Sequence, residues 1–106
     1  MTPGNAKMLV IFVDEAETRD NTPIYELIVR KLVKLEVDGS TIHAGMLGFG
    51  HHHSFHRTHL FDNIRGSDRP ITIMVVETEE KLRKVIPEIK PMLKEGLIVM
   101  IDAEVF

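Results

Sequence analysis

The residues best able to do chemistry lie between positions 45 and 59, in the run GMLGFGHHHSFHRTH. Its glycines, at positions 45, 48 and 50, allow a ligand close to the backbone and can present N–H groups to an anion. Five histidines and Arg57 add positive charge, and a guanidinium matches the geometry of phosphate. The run therefore indicates a site for a small anionic ligand.

Two familiar phosphate motifs do not explain this run. The stretch Gly48-Phe49-Gly50 lacks the third glycine and the following apolar helix of a dinucleotide-binding fingerprint. It also lacks the Lys-Ser/Thr pair of a P-loop. A bulge where a strand leaves its sheet accounts for the glycines equally well, so that alternative stays open.

The histidines offer a metal site as a second alternative. Their spacing fits no single closed zinc site, and the chain has no cysteine. An imidazole cluster can nevertheless take up a divalent transition metal, and on a strand His51 and His53 would share a face. We expect no obligatory metal and keep His51, His53 and His56 as the alternative metal ligands.

Two acidic groups raise the question of catalysis. They follow the first and third predicted strands and consist of Asp14, Glu15, Glu17, Glu77, Glu79 and Glu80. Such groups are more typical of solvated loop ends and helix N-termini than of general acids. No serine or threonine lies in a recognisable nucleophile motif. We expect no catalytic residues, with a small nucleotide hydrolase as the alternative.

Length and composition limit the function classes further. The 106 residues are 43% apolar and 27% charged, which predicts one globular domain over residues 1–106. The net charge of −3 gives no field that would recruit nucleic acid. No apolar run approaches the roughly 20 residues of a membrane span, and the first residues do not resemble a signal peptide. The absence of cysteine suits the reducing cytoplasm.

Apolar periodicity predicts the elements that must position the glycine–histidine run. The predicted strands are 7–13, 40–47, 71–77 and 97–105, with one helix between the first two and another between the last two. The first helix takes Asn21 or Thr22 as N-cap and Pro23 in its first turn, and it ends with Gly39 in the left-handed conformation. Thr78 is the N-cap of the second helix, and Pro87 predicts a bend or restart within it.

This order predicts a ferredoxin-like α+β sandwich, βαββαβ, with two helices on one face of a four-stranded sheet. A wet second face would alternate apolar with polar residues, but the last two strands are apolar on both faces. Another copy of the chain is the expected cover. We expect Met74 and Met100 to lie on one face of the sheet and Ile73 and Val99 on the other. The sequence does not decide which of these faces packs against the helices.

With these elements in place, the chain resembles the PII-like family known as domain of unknown function 190. The resemblance covers nearly the whole chain and is carried by the segments DE (14–15), PIYE (23–26), GMLGFGH (45–51), FHR (55–57), PI (70–71), VETEE (76–80) and EGLI (95–98). It implies a homotrimer that senses a small ligand in clefts between subunits, with AMP, ADP or ATP as leading candidates. It also implies a possible transporter or enzyme as protein partner.

The resemblance assigns ligand binding to residues of the central run: Gly45, Gly48, Phe49, Gly50, His51, His56 and Arg57. Residues 51–69 would form a flexible loop that signals to the partner. The chain departs from true PII proteins because the link before its last strand is only Lys94-Glu95-Gly96, without their lysine-containing phosphate loop. Its single tyrosine is Tyr25, outside the loop, so uridylylation of the usual PII kind is not expected.

Overall fold

A computed structural model describes residues 1–46 and 69–106. Within these ranges the elements are β1 (Gly4–Asp14), β2 (Thr18–Arg19), β3 (Thr22–Pro23), α1 (Ile24–Lys34), β4 (Thr41–Ala44), β5 (Pro70–Glu77), α2 (Glu79–Ile89) and β6 (Leu97–Val105). A short 3-10 turn, Lys90–Met92, follows α2. The four strands of the main sheet were all predicted, and the bounds of β6 agree with the prediction.

The sheet has the strand order β4-β5-β1-β6, and every neighbouring pair is antiparallel. The units β1-α1-β4 and β5-α2-β6 therefore each place one strand of the other unit between their own strands. This arrangement confirms the ferredoxin-like α+β fold. At the far end of the sheet Gly4 lies opposite Val105, so β6 pairs with β1 along the whole length of β6.

The core lies between the sheet and the two helices. Residues at helical spacing on α1 and α2 become fully buried against alternate residues of β1 and β5. The helix residues are Ile24, Ile28, Leu32, Leu82, Val85 and Ile89, and the strand residues are Leu9, Ile11, Val13, Ile71, Ile73 and Val75. Each such burial stabilises the fold by roughly 1.5–3 kcal/mol, which is why the apolar period determines the helix positions.

The helix starts agree with the prediction in one case and differ in the other. Thr78 caps α2, and its side chain accepts a hydrogen bond from the Lys81 N–H at 3.3 Å. The predicted cap of α1 is wrong, because α1 begins at Ile24 with Pro23 as N-cap. Asn21 instead lies with Asp20 at the tip of the β2–β3 hairpin, where both have positive φ as a tight two-residue turn requires.

The predicted end of α1 at Gly39 is also wrong. Leu35 closes the helix, and Glu36 takes the left-handed conformation with φ 61°. The Glu36 N–H donates to the Val33 carbonyl and the Val37 N–H to the Leu32 carbonyl, which is a Schellman ending. The prediction at Pro87 was a bend or a restart of the second helix. The restart does not occur, because α2 continues through Pro87 to Ile89.

The face of the sheet opposite the helices is apolar, as predicted, and no element within 1–46 or 69–106 packs on it. We call it the open face; from the register its apolar members are Ala6, Met8, Val10, Phe12, Met74, Val76, Leu97, Val99, Ile101, Ala103 and Val105. Leu97 is 59% exposed and Phe12 44%. Val10 lies opposite both Met74 and Val99, whereas Met100 shares the helix face with Ile73. The prediction that Met74 and Met100 lie on the same face of the sheet is therefore wrong.

The ending of α1 yields a stability test. Glu36→Gly should raise the free energy of unfolding by about 1 kcal/mol, because glycine takes the left-handed conformation without steric cost. Gly39→Ala should cause no loss, since Gly39 is outside the positive-φ region and a Cβ there meets no atom within 4 Å. Urea denaturation of both variants measures these effects. A loss confined to Gly39→Ala would restore the helix end predicted from sequence.

Candidate ligand-binding site

The antiparallel order gathers the start and the finish of the long 47–68 connection at one end of the sheet. Gly45 follows β4, and Pro70 begins β5 opposite Asp14, the last residue of β1. Leu97 begins β6 at the same end, opposite Phe12. We call this the connection end, defined by residues 14–17, 45, 69–70 and 96–97. The central run of the sequence therefore departs from a place where three other chain segments meet.

Gly45 is the member of the predicted ligand set that the structure describes. Its N–H donates to the Pro70 carbonyl at 2.7 Å, and a Cβ on it would lie 2.7 Å from Pro70 Cγ. Close packing on Pro70 thus gives Gly45 a structural reason for lacking a side chain. Outside the described residues lie Gly48, Phe49, Gly50, His51, His53, His56 and Arg57.

A second glycine at this end, Gly96, lies in the short link before β6. A Cβ on Gly96 would come within 2.6 Å of the Phe12 carbonyl oxygen and 2.9 Å of a Leu93 methyl carbon. The backbone before β6 therefore passes directly against the end of β1. This close approach keeps the short link after α2 tight against the connection end.

A bidentate ion pair joins the residue after β1 to the residue before β5. Arg69 Nε donates to Glu15 Oε1 at 2.9 Å, and Arg69 Nη2 donates to Glu15 Oε2 at 2.6 Å. A backbone hydrogen bond joins the same two residues, because the Glu15 N–H donates to the Arg69 carbonyl at 2.9 Å. Arg69 was placed at the end of the predicted flexible loop, but this residue is fixed to Glu15.

The pair sets the charge state of both side chains. Hydrogen bonding to Arg69 lowers the pKa of Glu15 below its ordinary value, and it outweighs the opposing effect of burial. The same bonds raise the pKa of Arg69. Glu15 is therefore a carboxylate and Arg69 a guanidinium at neutral pH. The two charges largely offset each other while they stay paired.

Sequence reasoning missed the ion pair. It assigned Glu15 to a solvated acidic group and Arg69 to the end of the 51–69 loop. The partners are 54 positions apart, so no local spacing connects them. The usable signal was positional: each residue lies next to a predicted strand, Glu15 after 7–13 and Arg69 before 71–77.

Glu77 departs from the same expectation at the other end of the sheet. It is only 4% exposed. Its carboxylate accepts hydrogen bonds from the N–H groups of Asp38 at 2.8 Å and Thr78 at 3.3 Å, and Lys81 Nζ lies 3.7 Å away. These contacts hold the link between α1 and β4, so Glu77 has a structural role.

Neither a metal-ion cluster nor a membrane-spanning helix is found in residues 1–46 and 69–106. In these ranges no three His, Asp or Glu side chains are grouped so that they could hold a metal ion. His43, the histidine that the structure describes, is exposed on β4. No helix in the same ranges is long and apolar enough to cross a bilayer.

The fold is that of PII-like proteins. CPII of Thiomonas intermedia K12, a nitrogen regulatory PII-like protein bound to ADP, AMP and bicarbonate, matches with a TM-score of 0.68 at 21% identity, covering 96% of this chain and 93% of CPII. A protein of Thermus thermophilus, TTHA0516, described as PII-like, matches with a TM-score of 0.66 at 13% identity, covering 99% of this chain and 92% of TTHA0516. At these identities the likeness establishes the architecture.

The family follows from the sequence itself. The family DUF190, domain of unknown function 190, described as "Uncharacterized ACR", matches residues 6–105, and the chain belongs to it. The UPF0166 protein MJ1524 of Methanocaldococcus jannaschii is 29% identical over 103 residues, covering 95% of this chain and 92% of that relative. The resemblance drawn from the sequence segments is thereby confirmed.

The lowered pKa of Glu15 predicts an acid-dependent contribution to stability. A carboxylate whose folded-state pKa is depressed stabilises the fold above its unfolded pKa, and this contribution is lost as the pH falls through the folded value. Glu15→Gln should therefore be less stable than the parent at pH 7, and the difference should shrink as the pH falls below about 4.5. Thermal unfolding from pH 7 to pH 2.5 measures the difference.

The control for this series is Glu26→Gln at pH 7. Glu26 pairs with Arg30 on the exposed surface of α1, and such pairs contribute little. The Glu26→Gln substitution should therefore lower the free energy of unfolding by less than Glu15→Gln does. A Glu15→Gln difference that stays constant with pH would mean that the Arg69 pair does not stabilise the folded state.

Proposed function

We propose that this chain is a single-domain PII-like regulatory protein that binds an adenine nucleotide and signals through residues 51–69. The observation that carries the proposal is the connection end. There the connection that contains most of the central run leaves the sheet after Gly45 and returns to it at Arg69, beside two tightly packed glycines and the Glu15–Arg69 pair. The described residues thus place two tightly packed glycines and an ion-paired arginine beside the two ends of the connection in which the sequence concentrates its anion-binding residue types.

The choice of an adenine nucleotide rests on the family and on the fold. CPII, a protein of the same fold, binds ADP and AMP. In this chain we assign the close backbone approach to Gly45, Gly48 and Gly50, and the contact with phosphate to His51, His56 and Arg57. Phe49 completes the proposed site. AMP, ADP and ATP are the candidate ligands.

The proposal includes a homotrimer with nucleotide clefts between its subunits. Large aliphatic and aromatic side chains lie on the open face, and leaving each in water forgoes roughly 1.5–3 kcal/mol of burial. Another copy of the chain offers a matching apolar surface, and identical subunits of this kind form closed symmetric assemblies. The cleft sites then depend on the assembly.

The protein acts without catalysis in this proposal. The acidic side chains Glu15 and Glu77 are engaged in ion pairing and backbone hydrogen bonds. Nucleotide occupancy instead changes the state of residues 51–69, which meet a transporter or an enzyme in the cytoplasm. A ligand achieves this only if it binds the two states of that segment with different affinities.

Titration calorimetry of the parent with AMP, ADP and ATP tests the function. At least one nucleotide should bind, and Arg57→Ala should weaken it by roughly 1–3 kcal/mol, the scale of a lost charge-assisted hydrogen bond. Arg30→Ala, which removes an exposed arginine paired on α1, is the matched control and should bind like the parent.

Two results would overturn this function. The first is binding of zinc, nickel or copper without any nucleotide, abolished by alanine at His51, His53 and His56 together, which would favour the metal alternative. The second is release of phosphate or nucleotide product from the titration mixtures, which would favour the hydrolase.

Substitutions on the two faces of β5 test the assembly. Met74 faces the open side and Ile73, its neighbour, is fully buried under the helices. Met74→Glu should dissociate the trimer into folded protomers, because it places a charge in the interface, and Val99→Glu should do the same. Ile73→Glu should unfold the protomer. Sedimentation with circular dichroism separates these outcomes, and a stable parent monomer at micromolar concentration would contradict the trimer.

A further inference from the structure

The two partners of the Glu15–Arg69 pair differ in their access to solvent. The Arg69 side chain is 43% exposed, whereas that of Glu15 is 16% exposed. Glu15 uses two of the five N–H donors of the guanidinium. An anion that approaches the connection end from solvent therefore meets the cation of this pair before the carboxylate.

The sheet end does not depend on the side-chain pair alone. The Glu15 N–H donates to the Arg69 carbonyl, and the Gly45 N–H donates to the Pro70 carbonyl. These backbone bonds join the end of β1 and the residue after β4 to the start of β5. The side chains can separate while the backbone bonds remain.

We propose that Arg69 is a phosphate-binding residue, and that the phosphate group of the ligand replaces the Glu15 carboxylate on its guanidinium. The nucleotide as the source of that phosphate rests on the proposed function. A phosphate monoester brings three acceptor oxygens and up to two negative charges, and it suits the planar donor fork as well as a carboxylate does. Two anions on one partly desolvated guanidinium would repel each other, which favours replacement over sharing.

Replacement of the Glu15 carboxylate by phosphate would couple ligand binding to the segment that precedes α1. Arg69 immediately precedes β5, and Glu15 lies two residues before Glu17. The Glu17 carbonyl accepts the N–H of Ile24, the first residue of α1, at 2.8 Å. Release of the Glu15 side chain thus changes the restraints on the segment that starts α1, while Arg69 is held by the ligand.

Titration of AMP, adenosine and inorganic phosphate into the parent and three variants tests the replacement. Glu15→Gln should tighten AMP about threefold to tenfold, because the competing charge is gone. Arg69→Gln should weaken AMP by about tenfold or more, and adding Glu15→Gln to it should then have no further effect. Adenosine, which carries no phosphate, should bind the parent and all three variants alike.

The matched control is the Arg83–Glu79 pair on the exposed surface of α2, with Nη2 and Oε2 3.0 Å apart. Arg83→Gln and Glu79→Gln should leave AMP binding unchanged. Circular dichroism checks folding, and if Arg69→Gln does not fold, the gain in Glu15→Gln decides the question by itself.

Each remaining outcome has one meaning. Equal AMP affinity in the parent, Glu15→Gln and Arg69→Gln would overturn the replacement while the nucleotide function stands. Weaker AMP binding in Glu15→Gln would overturn it too, because Glu15 would then position Arg69 instead of competing for it. Inorganic phosphate that binds through Arg69 without any nucleotide binding would support Arg69 and overturn the proposed function.

Discussion

The fold depends on a sheet that must bury aliphatic side chains on both of its faces. Its central strand β1 contributes Leu9 and Ile11 to the helix side, where both are completely buried. On the open face Ala6 and Val10 are already buried by neighbouring side chains, while the outer residues of that face remain in water. Two amphipathic helices satisfy the first face. The second face is the physical reason to expect another copy of the chain.

Much of this architecture could be predicted because its causes are local. Compact apolar runs identified the strands, helical spacing identified the helices, and a threonine before two glutamates identified the cap at Thr78. Predictions failed where a choice depended on distant contacts or on backbone conformations that residue type only favours. Gly39 was the obvious residue to end α1, yet Glu36 takes the left-handed position. Met100 was wrongly assigned to the same face as Met74, because no local signal relates the register of β6 to that of β5.

The connection end was only partly predictable for the same reason. Gly45 stood out as a glycine, but its packing on Pro70 depends on β4 and β5 lying side by side. Glu15 and Arg69 are ordinary charged residues in the sequence, and only the antiparallel order places them in contact. Residue types that lie within one run are visible in the sequence directly. Chemistry divided between segments requires the fold.

The pairing of Gly4 with Val105 has a practical consequence for engineering. It places both described chain ends at the end of the sheet opposite the connection end. An eleven-residue strand such as β1 spans roughly 35 Å. A fluorophore or an affinity handle attached at residue 1 or residue 106 would stand that far from Arg69. Immobilised or labelled protein can therefore present the connection end freely to solution, which makes surface-based assays of this chain geometrically sound.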